Sequence, residues 1–299
     1  MSSPLTTRFT STPRLPIDTR IGKVRFRVAD LERAVTFYRD VLGLQITQDT
    51  KKKLSLAPAS TGDELIVLEE RQGIAPRPRR PRTAGLYHVA LLVPSRRDLG
   101  RTLLALGESG YPLRGMSDHA VSESIYLDDP DGNGLEIYAD RPRELWPRRN
   151  GVVQMTVDPM DVDGVLAAGQ ADAEPWSGLP SGTVIGHVHF TVSSMERAAA
   201  YYINVIGFDR MMQIPSLTAV SAGGYHHHLN LNTWAGEGAA SDSEQVAGLI
   251  AWELRVPGDH ARRELIQRVV SASALAAPSE PASARDPDGN LMEIPNLSA

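Results

Sequence analysis

The segment Val184-Ile185-Gly186-His187-Val188-His189-Phe190-Thr191-Val192 decides the fold, because it reads as a β-strand with an unusual polar face. Side chains alternate along a strand, so the apolar residues share one face while His187 and His189 share the other with Thr191. An ordinary half-buried strand keeps its polar face in water, whereas imidazole is the commonest metal-ligating side chain. The segment therefore predicts a strand that lines a functional cavity.

A near-copy of this segment occurs earlier in the chain. When residues 21–44 are aligned with residues 185–208, a constant offset of 164, eleven of the 24 positions are identical. In both copies the strand is followed by apolar residues at helical spacing. Asp30 is suited to cap the first of these helices, and Gly43 is suited to follow its end. Such an internal repeat indicates that the fold is built from copies of one strand–helix unit.

A second repeat closes each half of the chain. Residues 129–137 and 286–294 agree at seven of nine positions, and both begin with Asp-Pro-Asp-Gly-Asn. This composition is typical of a tight turn, and a strand follows it. The closing strand carries one glutamate in each half, Glu136 in the first and Glu293 in the second.

Each half contains two strand–helix units, so the sequence predicts four modules, each of which begins with a strand and a helix and continues with short strands. The predicted modules occupy about residues 19–75, 83–141, 182–238 and 246–296. Grouped by halves, the predicted domain plan is a flexible tail at 1–18, a first domain at 19–149, a linker at 150–181 with a short helix near 162–169, and a second domain at 182–299.

The composition excludes several classes of function. The 299 residues include no cysteine, which removes disulfides, thiolate metal sites and cysteine nucleophiles. The net charge of −5 does not favour nucleic acid as a partner. No apolar run reaches the ~20 residues that a membrane span needs, and residues 1–20 lack the apolar core of a signal peptide. We therefore expect a soluble cytoplasmic protein without a membrane partner.

The modules resemble those of the vicinal oxygen chelate superfamily, which includes glyoxalases, bleomycin-resistance proteins and extradiol dioxygenases. The resemblance covers nearly the whole chain after residue 20 and is closest to the two-domain, catechol 2,3-dioxygenase-like group. It implies an α+β fold in which four βαβββ modules form two half-barrel pairs, a scaffold that serves several reactions. Besides the repeats, the segments that carry it are 85–88, 117–123, 129–142, 223–228 and 232–234.

The resemblance implies two metal-ligand positions in each module, one on its first strand and one on its last strand. The first-strand residues are Lys23, His88, His187 and Ala251. The last-strand residues are a position near Val67, Glu136, one of the histidines at 226–228, and Glu293. Strand alternation puts His226, His228 and Asn230 on the cavity face, and His228 is favoured over His226 because it lies nearer the middle of the predicted strand.

Two pairings of the modules remain open. In the group's usual arrangement modules three and four hold the metal, but Ala251 replaces one histidine and leaves only His187 and Glu293. If module two pairs with module three, four donors converge instead: His88, Glu136, His187 and His228. Seven of the eight histidines lie in modules two and three, which favours this second pairing.

Each candidate also has a purely structural interpretation. His88 and His187 would then be hydrogen-bonded core histidines, but their equivalent positions in two repeats favour the ligand role. His119 is either an acid–base group that faces the metal or an exposed turn residue. The residues predicted to line a substrate pocket are His189, Tyr225 and Asn230.

The resemblance implies a ring-cleaving dioxygenase that acts on a catechol-type aromatic diol with O₂. Imidazole and carboxylate ligands suit Fe(II) first, or Mn, Ni or Zn, and His119 would accept a proton from the diol. Two alternatives stay open. One is a glyoxalase-like metal-dependent isomerase or lyase, and the other is a non-catalytic binding protein of the bleomycin-resistance type. Self-association into a homodimer is also left open.

Overall fold

The computed structural model describes residues 13–50, 52–58, 63–78, 82–171, 175–273 and 281–297, and the four modules follow one another along them. Module one comprises β1 (Arg20–Val28), α1 (Leu31–Val35), β2 (Gln45–Thr50), β3 (Lys53–Ala57) and β4 (Ile66–Glu70). Module two comprises β5 (Gly85–Leu92), α2 (Arg96–Ser109), β6 (Leu113–Asp118), β7 (Ser122–Asp128) and β8 (Gly134–Asp140).

A connector joins the two halves, and it contains β9 (Arg148–Arg149), β10 (Val152–Val153) and α3 (Val162–Gln170). The short helix predicted near residues 162–169 is therefore confirmed. Module three comprises β11 (Val184–Thr191), α4 (Met195–Ala200), β12 (Asp209–Ile214), β13 (Leu217–Ser221) and β14 (Leu229–Asn232). Module four comprises β15 (Gly248–Arg255), α5 (Asp259–Ser273), β16 (Ala282–Arg285) and β17 (Leu291–Ile294).

The predicted signals at the ends of the first helix are present. The Asp30 side chain accepts a hydrogen bond from the backbone N–H of Arg33, which satisfies one of the free donors at the helix start. The helix continues beyond α1 as a π-helical turn at Thr36–Val41. Gly43 then adopts a left-handed conformation with φ of +69°, which reverses the chain into β2.

Two sheets carry the fold, and each one combines both halves of the chain. In the seven-stranded sheet β1 pairs with β15, so module one joins module four. In the eight-stranded sheet β5 pairs with β11, so module two joins module three. The pairing that the histidine distribution favoured is the one observed. The predicted domains at 19–149 and 182–299 therefore do not coincide with the two sheets.

The Asp-Pro-Asp-Gly-Asn turns connect the modules that the sheets separate. The side chain of Asp131 in module two is buried, accepts a hydrogen bond of 2.9 Å from the Ala29 N–H, and forms an ion pair with Arg33 of module one. Asp288 of module four likewise accepts a hydrogen bond of 3.1 Å from the Ser193 N–H of module three. Sheets therefore link modules across the halves, and turns link them within each half.

The apolar faces of the strands form a common core. Val188, Phe190 and Val192 are fully buried, as alternation predicted. The Phe190 ring on β11 lies 6.1 Å from the Trp252 ring on β15, so the core connects the two sheets. Burial of large side chains such as these stabilises a fold by roughly 1.5–3 kcal/mol each.

The described end of the predicted flexible tail is packed against module three. Leu15 is buried, and its N–H donates a hydrogen bond of 3.0 Å to the Gly207 carbonyl. Residues 1–12 of the predicted tail lie outside the described residues. Within the described ranges, the helices lack the length and apolar character that a membrane crossing would require.

Candidate metal centre

Three neighbouring strands in the middle of the eight-stranded sheet bring the predicted donors together. In the β5–β11 ladder His88 lies opposite His189, and Ala90 lies opposite His187. The parallel strand β8 places Glu136 beside Ala90. Side chains at these positions project to the face opposite the buried Val and Phe residues. His88, His187 and Glu136 therefore converge over one face of the sheet, and we call these three residues the donor cluster.

The three donor atoms form a nearly regular triangle. The Oε2 atom of Glu136 lies 3.0 Å from Nε2 of His88 and 3.1 Å from Nε2 of His187. The two Nε2 atoms are 3.3 Å apart. All three side chains are buried, with exposed fractions of 6% for His88, 3% for Glu136 and 1% for His187. Among the described residues, this is the group whose donor atoms are close enough to hold a metal ion.

These distances fit a bound metal. Two ligands that bind at about 2.1 Å and at right angles are about 3 Å apart, which is the edge length of the triangle. Three such edges place the donors on one side of an ion and leave its other positions free for exogenous ligands. Two imidazoles that share a single carboxylate oxygen are also poorly satisfied by hydrogen bonds alone, so the donor set suits a divalent metal.

The protonation states also suit a metal. Burial lowers the pKa of His88, although Glu136 partly offsets the effect, so the imidazole stays neutral near pH 7. Burial alone would raise the pKa of Glu136, but the neighbouring His187 and His88 outweigh it and hold that pKa well below its usual range. A neutral imidazole and an ionised carboxylate are the forms that bind metals without first losing a proton.

His187 is held mainly by aromatic packing. Its ring lies 4.9 Å from the ring of Tyr138 and 4.2 Å from that of His227. Its Nδ1 atom is buried and has no hydrogen-bond partner among the described residues. Metal-bound histidines usually donate this second N–H to a partner that orients the ring. Here the two flanking rings fix the orientation instead.

His119 reaches the donor cluster through another residue, Tyr126. Its Nδ1 atom lies 2.7 Å from the Thr156 carbonyl, and its Nε2 atom lies 2.6 Å from the Tyr126 hydroxyl. Tyr126 pairs directly with Glu136 in the β7–β8 ladder, and its ring lies 5.7 Å from that of His88. Burial, followed by the charge of Glu136, raises the pKa of Tyr126, so its hydroxyl stays protonated.

The predicted ligands His228 and His226 are not part of the donor cluster. The Nδ1 atom of His228 lies 2.7 Å from the Ser221 hydroxyl and also accepts a bond from the Ala222 N–H. The Nε2 atom of His226 lies 2.8 Å from a carboxylate oxygen of Asp140. His228 was favoured because it was placed nearer the middle of the strand, but β14 begins only at Leu229, so the three histidines precede it.

In module three, strand register places Asn230 at the position that Glu136 occupies in module two. In module two Glu136 lies beside Ala90, and in module three Asn230 lies beside His189, the residue that corresponds to Ala90. The Oδ1 atom of Asn230 is buried and has no hydrogen-bond partner among the described residues. Asn230 is thus on the same face of the sheet as His189.

Glu293, the less favoured ligand, belongs to the other sheet and is already paired. It lies beside Glu253 in the β15–β17 ladder and forms an ion pair with Arg25. Lys23, at the position of the first-strand histidines, forms an ion pair of 2.8 Å with Glu64. Cations from the protein therefore neutralise the carboxylates at the place where modules one and four would otherwise hold a metal.

The remaining residues predicted to line the pocket differ in how close they lie to the donor cluster. His189 adjoins the donor cluster, because its ring lies 4.8 Å from that of His88. Tyr225 lies behind Tyr138, with the two hydroxyls 2.7 Å apart. It packs in a small apolar cluster with Trp146, away from the donor atoms.

Tyr126 was missed by the sequence reasoning, although a signal was available. Ser122, Ser124 and Tyr126 alternate along β7 with the buried Ile125 and Leu127, so Tyr126 had to share the cavity face with Glu136. That pattern could have identified it, because β7 directly precedes the turn that leads into β8.

Comparisons with known proteins agree on one family. A family model described as the Glyoxalase/Bleomycin resistance protein/Dioxygenase superfamily matches residues 20–137. A catechol-2,3-dioxygenase of Bacillus subtilis (strain 168) is 43% identical over 243 residues, which cover 80% of this chain and 84% of that protein. The biphenyl-2,3-diol 1,2-dioxygenase 3 of Rhodococcus globerulus is 28% identical over 126 residues, or 42% of this chain and 66% of that protein.

A solved structure supports the same fold. Glyoxalase I from Zea mays superposes with a TM-score of 0.54 at 15% identity, over 93% of this chain and 92% of that chain. An identity this low is informative about the architecture alone. The predicted α+β arrangement of paired modules is therefore confirmed, and within the described residues module four has two strands after its helix where the other modules have three.

Proposed function

The chain belongs to the glyoxalase/bleomycin resistance protein/dioxygenase superfamily, and on that basis we propose that it is an extradiol dioxygenase acting on a catechol-type aromatic diol. The observation that carries the proposal is the donor cluster, present in a chain that is 43% identical to a catechol-2,3-dioxygenase. Two imidazoles and one carboxylate with open positions are the donor set typical of non-haem Fe(II) oxygenases.

Fe(II) is the metal that we propose for this site. When bound, it supplies coordination positions for the two diol oxygens and for O₂, and the electron density that activates O₂. His88 and His187 would hold it as neutral donors, and the Glu136 carboxylate would neutralise one of its two positive charges. The site would keep a net positive charge, which favours binding of the diol as an anion.

The His119–Tyr126 pair is suited to move a proton from the diol. The Thr156 carbonyl can only accept, so Nδ1 of His119 donates to it and Nε2 is left as the acceptor. Tyr126 donates its hydroxyl proton to that Nε2 atom, and a diol oxygen beside Tyr126 could replace this proton with its own. His119 would thus keep the acid–base role predicted from the sequence but would act through Tyr126.

Tyr126→Phe is expected to lower kcat roughly a hundredfold, the lower end of what one proton-transfer group contributes. The bound metal should be retained, because no donor atom changes. Steady-state kinetics of the Fe(II)-loaded variant, with metal content measured alongside, would test this. Tyr111→Phe is the control, since in the described part of the chain that hydroxyl donates a hydrogen bond of 2.9 Å to the Asp128 carbonyl at the end of β7. Equal kcat values for both variants would remove Tyr126 from the mechanism.

The proposed function itself is tested by an anaerobic purification followed by an assay. Protein loaded with Fe(II) should convert catechol and O₂ into a yellow ring-cleavage product, while Zn(II)-loaded protein should not. If Fe(II)-loaded protein leaves a panel of catechols unchanged, the dioxygenase proposal fails. Turnover of a methylglyoxal–thiol adduct would instead favour the isomerase alternative, and binding of small molecules without any metal would favour the sequestration alternative.

A further inference from the structure

Strand β5 contains a bulge directly beside the donor cluster. Phe190 on β11 pairs with Leu86, and the adjacent His189 pairs with His88, so Tyr87 has no residue opposite it. A bulge of this kind re-aims a side chain that regular alternation would turn away. Tyr87 therefore lies on the same side as His88, and the centroids of their rings are 5.3 Å apart.

Tyr87 belongs to a row of rings that extends from a proposed metal ligand to the solvent. The ring of His189 lies 4.8 Å from those of both His88 and Tyr87. The ring of Trp234 lies 5.0 Å from that of Tyr87 and 5.4 Å from that of His189. These contacts are edge-on, the arrangement that aromatic pairs favour. Trp234 forms the outer end of the row, with 53% of its surface exposed.

A buried amide fixes the position of this row. The Nδ2 atom of Asn232 donates a hydrogen bond of 2.9 Å to Nε2 of His189. The Oδ1 atom of the same side chain accepts a bond of 2.9 Å from the backbone N–H of Trp234. Asn232 is fully buried, so one side chain orients the His189 ring and holds the backbone of Trp234 beside it.

We propose that Tyr87, His189 and Trp234, here called the aromatic wall, select diols that carry a flat apolar extension such as a second ring. The inference rests on the proposed function, because it assumes that the vicinal oxygens of the substrate lie at the donor cluster. A single ring held there would meet His189, which adjoins His88. A second ring is needed to reach Trp234, which is two ring contacts away from His88.

The test measures equilibrium binding to Zn(II)-loaded protein, in which the diol is bound without turnover. Calorimetric titrations with catechol and with biphenyl-2,3-diol would be compared for the wild type, Trp234→Ala and Trp234→Phe. We expect Trp234→Ala to weaken biphenyl-2,3-diol binding about tenfold and catechol binding less than about threefold, since the contact involves only the second ring. Trp234→Phe should restore most of the loss.

Ile214→Ala is the matched control, because Ile214 is a large apolar residue on β12 with a similar exposed fraction, 49%. It should change neither affinity, and stoichiometric zinc binding verifies that each variant is folded. Equal effects of Trp234→Ala on the two diols, or no effect on either, would overturn the aromatic wall while leaving the proposed function intact. A wild type that binds neither diol would instead overturn the proposed function, and the aromatic wall with it.

Discussion

His187→Ala and His88→Ala are each expected to lower the affinity for a divalent metal by more than about a hundredfold. Loss of a residue that merely orients a ligand already costs 10–100-fold, and here a donor itself is lost. Because the three donor atoms lie within 3.0–3.3 Å of one another, the two that remain cannot close the same face around an ion. Glu136→Ala should have a comparable effect, since it also removes the anionic charge.

The measurement is metal content after dialysis, combined with calorimetric titration of Fe(II) or Zn(II) into the metal-free protein. Glu293→Gln is the matched control, because Glu293 occupies the equivalent last-strand position of module four but is paired with Arg25. It should bind metal as the wild type does. If Glu293→Gln strips the metal while His88→Ala retains it, the metal belongs to the sheet of modules one and four, and the donor cluster is structural.

The donor cluster was largely accessible from the sequence, because the resemblance to the superfamily implied which strand positions bind the metal and the repeats located those positions in every module. Once four modules were aligned, the first-strand position held histidine in only two of them, His88 and His187. The closing turn preceded a strand with one glutamate, so Glu136 followed from the module that already contained His88. Positions tied to a repeated strand register can be transferred between modules, and the structure brings these three residues together.

The last-strand position of module three could not be predicted from the sequence, because it depends on where the short strand β14 begins. Alternation was extended back through His228 and His226, but β14 starts at Leu229. Register then assigns the position to Asn230, a residue that metal-ligand reasoning passes over. The bulge at Tyr87 is a similar case. The bulge turns Tyr87 to the side that regular alternation would not give it. It is recognised from the pairing of β5 with β11, which the sequence alone does not reveal.

The pairing of the modules was left open by the sequence for a physical reason. All four modules present a first strand of similar length, so β5 could join β11 or another copy without conflict in the hydrophobic pattern. The two sheets differ in the charged residues at these positions, and this difference determines which sheet can bind a metal ion. The Lys23–Glu64 and Arg25–Glu69 ion pairs, at 2.8 and 3.2 Å, lie on the face of β1 opposite its buried apolar side chains. Those cations would repel a metal ion at that place.

Asp131→Ala is expected to lower the free energy of unfolding by about 3 kcal/mol, because it removes a fully buried carboxylate that connects two modules. The change leaves the Ala29 N–H without its acceptor and breaks the ion pair with Arg33. Asp131→Asn should lose less, about half, since an amide oxygen can still accept from that N–H. Urea denaturation followed by circular dichroism would measure the change.

Two further variants separate the role of this turn from a general loss of charge. Asp288→Ala should destabilise the protein to a similar extent. Asp288 makes the equivalent contact in the second half of the chain, where it accepts a hydrogen bond from the Ser193 N–H. Asp209→Ala removes only an exposed pair with Arg14, at 3.1 Å, and should cost less than about 1 kcal/mol. If Asp131→Ala is as mild as Asp209→Ala, the turns do not stabilise the contact between the two modules of each half.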